Sequence, residues 1–394
     1  MREKAFFLAL LGINTLILVL QIKGLSISYN EAKILYGDSS LLRSIINLSL
    51  NLFGHNDYAL RLPMILLHLV SVFLLYAISR YYVTRENDRL WIILIYVLLP
   101  GVTSAALIVD NAGLVIASLF LFTYTYLRFD KYALGLLPFL LIVDPAFAYL
   151  FFAVALYGIY RKNYLFISLG ILLLIISLRL YGIHVGGLPE SRFLDALGVY
   201  AAIFSPIVFL YLFYVLYRRF FAKEWDLIWM IASSAFLISL LLSFRQKVEV
   251  QTFAPFLLLA LPLAAQTFLY TYRIRLREFR IRYRILFYSA FLILILNVMA
   301  VFFNQWFYRF ISKPTHHFSY PMHVAKELSS VLHQDHIKCI DAGDEKLQLR
   351  LRFYGITQCQ SYRLEKKLTH EGKKVTISYK NIPVYKTYVT KINK

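Results

Sequence analysis

Charge is scarce in this chain. Only 16% of its residues are Asp, Glu, Lys or Arg, where a soluble protein keeps about a quarter. The deficit extends over most of the sequence, 59% of which is apolar, with a mean hydropathy of +0.62. That excludes an ordinary soluble globule and predicts a membrane protein. Acids are scarcer than bases, 22 against 42, for a net charge of +20. In a soluble protein such an excess would suggest nucleic acid. Here no readout motif is present, and the bases fall in short segments between apolar runs, as in YRRFFAK (217–223) and RIRLREFRIRYR (273–284). That is the distribution of cytoplasmic loops, so nucleic acid is not an expected partner. Cysteine is almost missing: Cys339 and Cys359 are the two present, without a Cys-x-x-Cys pair, which argues against a thiolate zinc site. His and carboxylate spacings of the zinc-protease type are also absent, so His316, His317, His323, His333 and His336 read as solvated. No internal repeat and no low-complexity tract occurs.

What the chain does have is a series of long apolar runs. A membrane helix takes about 20 such residues, and candidate spans fall at 5–22, 63–83, 90–109, 111–127, 133–143, 146–160, 163–181, 200–217, 227–244, 252–272 and 285–308. The start, MREKAFFLALLGINTLILVLQIKG, is positive and then apolar, with no Ala-x-Ala site, and reads as a retained first span. The short runs 133–143 and 146–160 flank Asp144-Pro145 and count as two crossings or as one broken one. Loop charge arbitrates. With both crossing, MREK, RYYVTRENDR, RFDK, RK, RRFFAKEWD and 273–284 share one side, which satisfies the positive-inside tendency. The expectation is an all-α polytopic domain, 1–311, of about eleven spans, with the N-terminus cytoplasmic and the C-terminus outside. The long outer loop 23–62 carries an amphipathic stretch, Leu41 to Phe53, suited to lie along the membrane surface.

From 312 the composition changes. A proline-bearing linker precedes a predicted helix at 321–333 and predicted strands at 337–341, 347–353, 375–380 and 383–391. The reading is a small C-terminal α/β domain, 312–394, outside the membrane. Cys339 and Cys359 then stand where disulfides are permitted, and read either as a bridge or as two small core residues. The 273–284 run is expected to grip anionic headgroups on the cytoplasmic face, with membrane lipids as partners.

Ionisable residues at span ends are costly and invite a functional reading. Glu31, Asp110 and Asp144 all fall on the predicted outer side and could line one outward cavity. Asp110 before NAGLVIAS and Asp144 before PAFAYLFF equally suit helix N-caps.

The order of these features resembles the GT-C glycosyltransferases, and within them the protein-mannosyltransferase and aminoarabinose-transferase group. The family's first outer loop opens on Asp-Glu-Ala, continues through a Gly-Asp, and then carries Leu-Phe-Gly and Arg-Leu-Pro. The counterparts here are Asn30-Glu31-Ala32, Gly37-Asp38, Leu52-Phe53-Gly54 and Arg61-Leu62-Pro63. A second acid before span four matches Asp110. SFRQKVEVQTFAPFLLLALPLAA is similar to the family's late basic loop, and VAKELSSVL with LRFYGI to its outer domain. The sequence departs from the pattern at Asn30, where the family has Asp, and in lacking the Glu-Lys-Pro segment after Asp38.

The resemblance implies transfer of a sugar from a polyprenyl-phosphate donor to an acceptor hydroxyl of an envelope lipid, glycan or protein, in the cell inner membrane. The phosphate is already a good leaving group. The hydroxyl must lose a proton, which suits a carboxylate base. Glu31 is expected as that base, with Asp110 orienting or binding the acceptor and Asp38 beside the substrate. Cations for the departing phosphate are expected among Arg61, Arg192, Arg245 and Lys247. No fixed cofactor is called for, and a divalent cation is left open. The rivals are a lipid-linked-sugar transporter or flippase, which would place acids at mid-membrane and show repeats, and a GT-C-like protein that binds without turnover.

Overall fold

A computed structural model describes residues 2–37, 40–182, 191–311, 313–365 and 372–392. Its helices are α1 (Arg2–Ile22), α2 (Tyr29–Tyr36), α3 (Leu41–Phe53), α4 (Asp57–Ser79), α5 (Glu86–Leu98), α6 (Pro100–Leu107), α7 (Asn111–Phe129), α8 (Leu137–Val143), α9 (Ala148–Arg161), α10 (Tyr164–Tyr181), α11 (Phe193–Phe204), α12 (Pro206–Ala222), α13 (Leu227–Ser243), α14 (Val250–Leu257), α15 (Ala260–Ile274), α16 (Arg280–Phe302), α17 (Ala325–Gln334) and α18 (Glu345–Phe353). Strands β1 (Tyr362–Glu365), β2 (Gly372–Tyr379) and β3 (Ile382–Lys391) follow. The chain divides into two compact units. The first holds Met1–Thr15, Met64–Ala106 and Asn111–Val298; the second holds Leu16–Pro63, Leu107–Asp110 and Met299–Lys394.

The first unit is apolar and helical. Among the described residues, five helical stretches in the chain are long and apolar enough to cross a membrane, or up to eight if each bent pair is one span. Breaks fall where the backbone loses a donor or turns: α5 bends into α6 by 63° at Pro100, α11 into α12 by 107° at Ser205-Pro206, and α14 into α15 by 45°. The expected spans 90–109, 200–217 and 252–272 are these bent pairs. The expected span 133–143 does not stand alone. It continues 111–129 through a 3₁₀ segment, Asp130–Leu136, as one apolar stretch of 33 residues. α16 buries little beyond Leu294 and Val298 and, past its arginine-bearing start at Arg280 to Arg284, is apolar all round, as a lipid-facing helix should be. α9 and α10 pack almost backbone to backbone. A Cβ on Gly170 would lie 2.7 Å from the Ala155 nitrogen, and one on Gly158 would lie 2.7 Å from that of Ile167, the close approach that small residues permit between membrane helices.

The second unit joins the first loop to the tail. α3 buries Leu42, Ile46 and Leu50 and exposes Leu41, Leu48, Leu52 and Phe53, so the amphipathic stretch is a helix with apolar residues to spare for a membrane surface. Pro63 sits inside α4 and cannot donate to the carbonyl of Ala59. The Ser49 hydroxyl of α3 donates to that carbonyl instead, at 2.6 Å, which docks α3 on α4.

In the tail, Leu328, Leu332, Ile340, Leu351, Ile356 and Val375 form a core of their own. Its antiparallel sheet runs β1-β3-β2, with Leu364 opposite Val389 and Val375 opposite Thr387. Cys339 and Cys359 are bridged. Two strand expectations need correction. Residues 347–353 are helix α18, because Asp344 caps it (Oδ1 accepts from the Lys346 N–H at 3.1 Å) and Leu347, Arg350 and Leu351 share its buried face. Residues 337–341 make only isolated bridges, Cys339 to Thr357 and Asp341 to Arg363. The helix expected from 321 begins at Ala325, and β1 was not anticipated.

Candidate functional site

Glu31 lies on the first turn of α2, and local sequence puts it there. Ser28 is the N-cap: its Oγ accepts the Glu31 N–H at 3.2 Å, and Glu31 Oε2 accepts the Ser28 N–H at 2.7 Å. This reciprocal capping box fixes the carboxylate. Its other oxygen, Oε1, accepts the N–H of Val109 at 3.0 Å. The acid of the first loop is thereby tied to the 107–110 segment, with Asp110 the next residue. Asp110 is half-buried, whereas Glu31 has no exposed surface.

Arg61 is also fully buried. It stands 3.5 Å from Glu31 Oε2 and 3.4 Å from Asp57 Oδ1, and donates to the Ser26 carbonyl at 3.0 Å. One guanidinium therefore serves two carboxylates, which keeps two buried negative charges from facing each other uncompensated. Asp57 reaches on into the tail. Its Oδ1 accepts the Tyr354 hydroxyl at 2.8 Å and its Oδ2 pairs with Lys326 at 2.7 Å. Tyr354 in turn accepts the Ile27 N–H at 3.0 Å. Arg350 donates to the Ile27 carbonyl at 2.8 Å, to Ser26 Oγ at 3.1 Å, and to the His323 carbonyl. Burial lowers the Arg350 guanidinium from its usual range and, with Asp57, raises the Tyr354 phenol. Beside this network lies an open polar cleft of about 600 Å³, bounded by His55, Asp57, Lys326, His333 and Tyr354 among others.

No protein-family model and no curated protein matches the sequence. The crystal structure of ArnT from Cupriavidus metallidurans in the apo state superposes with a TM-score of 0.56 at 10% identity, covering 99% of this chain and 98% of that one. The chain has an ArnT-like fold. The many-span helical architecture with a small mixed tail, expected from the sequence, is thus shared over 99% of this chain with a solved protein.

Within this ArnT-like fold the expected site residues divide between the units. Glu31, Asp110 and Arg61 come together in the second. Arg192, Arg245 and Lys247 belong to the first and are exposed at their positions. Two of those are neighbours: the Arg192 N–H donates to the Ser243 carbonyl at 2.8 Å, and Phe193 stacks on Phe244 with centroids 4.7 Å apart. Arg192 itself pairs with Asp195 at 3.3 Å. Asp38 lies outside the described residues. Asp144 takes the capping role: its Oδ1 accepts the Ala146 N–H at 2.8 Å. Among the described residues no group of three or more His, Cys, Asp or Glu gathers to hold a metal. Sequence reasoning missed Asp57, Lys326, Arg350 and Tyr354. Asp57 carried a signal, standing four residues before Arg61, the helical ion-pair spacing. The tail residues carried none, since their partners lie some 300 residues away.

Proposed function

We propose that this chain is a membrane glycosyltransferase of GT-C type that moves a sugar from a polyprenyl-phosphate carrier to a hydroxyl of an envelope lipid, glycan or protein. It works at the outer face of the cell inner membrane, with the N-terminus cytoplasmic. The fold shared with ArnT, an aminoarabinose transferase, supports the class of reaction. The observation that carries the reading is the bond from Glu31 Oε1 to the Val109 N–H, which sets the first-loop acid beside Asp110.

In the reaction the acceptor oxygen attacks the anomeric carbon, the bond from that carbon to the phosphate oxygen breaks, and the electron pair leaves on the phosphate. The acceptor proton goes to a carboxylate. Glu31 was the expected base, but its oxygens already accept from Ser28 and Val109 and face Arg61, away from solvent. Asp110 is half-buried where Glu31 is wholly enclosed. The proposal therefore gives Asp110 the proton and makes Glu31 the positioning residue that holds the 107–110 segment. Arg192, Arg245 and Lys247, on exposed loops, are the cations proposed for the departing phosphate. Arg61 serves the acids instead. The bridged Cys339–Cys359 supports an oxidising compartment for the tail.

The test is transfer of radiolabelled sugar, from the polyprenyl-phosphate pool of native membranes, by membranes holding equal amounts of unmutated, Asp110→Asn or Glu31→Gln protein. Asp110→Asn should lose transfer by at least a hundredfold, the typical worth of a general base. Glu31→Gln should retain more, because an amide oxygen can still accept one N–H. Transfer unchanged in both would remove the assignment. A second reading, binding without turnover, is favoured by Asn30 and by the enclosure of Glu31; it predicts carrier binding with no transfer in any of the three proteins.

A further inference from the structure

Between α5, α12, α15 and α16, within the first unit alone, lies a cavity of about 310 Å³, at the lower end of the range for small-ligand sites. Its walls are aromatic and aliphatic: Trp91 on α5, Tyr211 on α12, Phe268 on α15 and Phe287 on α16. Charge is confined to one end. Asp88 stands on the first turn of α5, Tyr272 near the end of α15, and Tyr283 with Arg284 near the start of α16, so three helix ends form the mouth. Leu261 and Leu294 lie toward the far end. Along α16, positions 284 to 294 span about 15 Å.

The arginine run closes round that mouth. Arg273 pairs with Asp88. The guanidinium of Arg275 sits 4.4 Å from the ring centre of Tyr283, and that of Arg280 sits 5.6 Å from that of Tyr272, so two walls of the cavity are capped by cations. Arg280 also donates to the carbonyls of Arg275 and Arg273 at 2.8 and 3.0 Å, which fixes the turn. Arg284 lines the cavity itself. Six arginines (273, 275, 277, 280, 282 and 284) stand against Glu278 and Asp88. Water inside such walls would lack partners, whereas a hydrocarbon chain would fill them.

We infer that this cavity binds an anionic phospholipid, with one acyl chain between Trp91, Phe268 and Phe287 and the phosphate against Arg284 and the neighbouring guanidiniums. The guanidinium fork takes phosphate oxygens two at a time. A zwitterionic headgroup would bring an ammonium into the same ring of cations, so the site discriminates by headgroup charge. The inference is independent of the transfer reaction.

The experiment is native mass spectrometry of the full chain in detergent, with phosphatidylglycerol or phosphatidylcholine of identical chains. The unmutated protein should retain phosphatidylglycerol in preference. Arg284→Gln, at an exposed position, should weaken that retention about fivefold. Ala265→Trp, which fills the cavity, should abolish retention of both lipids. Equal retention of the two lipids by the unmutated protein, or unchanged retention in either variant, would overturn the inference. So would displacement of phosphatidylglycerol by an equal concentration of polyprenyl monophosphate, which would give the cavity to a carrier lipid instead.

Discussion

Arg61 and Glu31 are fully buried, and Asp57 is nearly so at the edge of the cleft. Replacing Arg61 with Met would leave Glu31 buried without its cation, while Asp57 keeps only Lys326, a type of loss that costs about 3–5 kcal/mol. Unfolding of the purified protein in detergent should show a loss of that size for Arg61→Met, and much of it should return in the triple variant with Glu31→Gln and Asp57→Asn. A simple salt-dependent surface pair would show neither. His323, expected from the sequence to be solvated, is buried with His317 against Tyr308 and offers a second test. Its Nδ1 bonds the Tyr308 hydroxyl at 2.7 Å. Burial first, then His317 and Arg350, hold its pKa at about 4, against 6.5 for a free imidazole. The unfolded chain therefore binds a proton that the folded tail refuses. The stability from keeping His323 neutral is complete above about 6.5 and lost as pH falls toward 4. Guanidinium midpoints for the tail should be lower at pH 5 than at pH 7, and His323→Asn should narrow the gap. These residues also mark what can be read from a sequence. Glu31 and Asp110 were conspicuous because acids are rare in an apolar chain. Arg350 and Tyr354 were not, because an Arg and a Tyr in a polar tail look like surface until Ser26 and Ile27 arrive from the far end of the chain.

The same limits act on elements. The apolar runs were legible because a helix in lipid must be apolar nearly all round, and each expected span has a helical counterpart. The stretch LQLRLRF was not, since its Leu and Phe residues fit a strand's alternation while Leu347, Arg350 and Leu351 fit a helical face equally well. The cap at Asp344 separates the two readings. Contacts of the α9–α10 kind are invisible to pattern, because they are made by residues with no side chain. Gly170→Leu would drive a side chain into the α9 backbone and should cost about 1–3 kcal/mol as overpacking, read as a lower thermal midpoint in detergent; Gly135→Leu, where nothing lies within 4 Å, should change little. The Cys339–Cys359 bridge closes a loop of sequence separation 20, worth about 3 kcal/mol by chain entropy. Replacing both with Ser should weaken the tail by that amount, measured by its resistance to protease.

At the scale of the whole molecule, two independent features bear on the parity of membrane crossings. The arginine run 273–284 immediately precedes the last apolar helix, α16, and the bridged cysteines follow it. Basic short loops favour the cytoplasm and structural disulfides favour the opposite side. Both are satisfied if α16 crosses outward, which requires an odd number of crossings from a cytoplasmic N-terminus. Counting 111–143 as one crossing gives an even number and places both features on the wrong side. That stretch would be about 50 Å long as a straight helix, more than a core of about 30 Å requires. It is also interrupted by a charged segment, Arg128 to Lys131, where Asp130 takes a positive φ of 50°. The extra passage can therefore be built from 130–143, returning toward Asp144. The expected outcome is a C-terminal reporter that reads outside and a cysteine introduced at Arg277 that an impermeant thiol reagent cannot reach in intact cells. No described cysteine is free to confuse the labelling. Ready labelling at 277 with a cytoplasmic C-terminus would make the number of crossings even, and would put Arg192, Arg245, Lys247 and the bridge on the side of the membrane opposite to Glu31 and Asp110, where the proposed chemistry could not proceed.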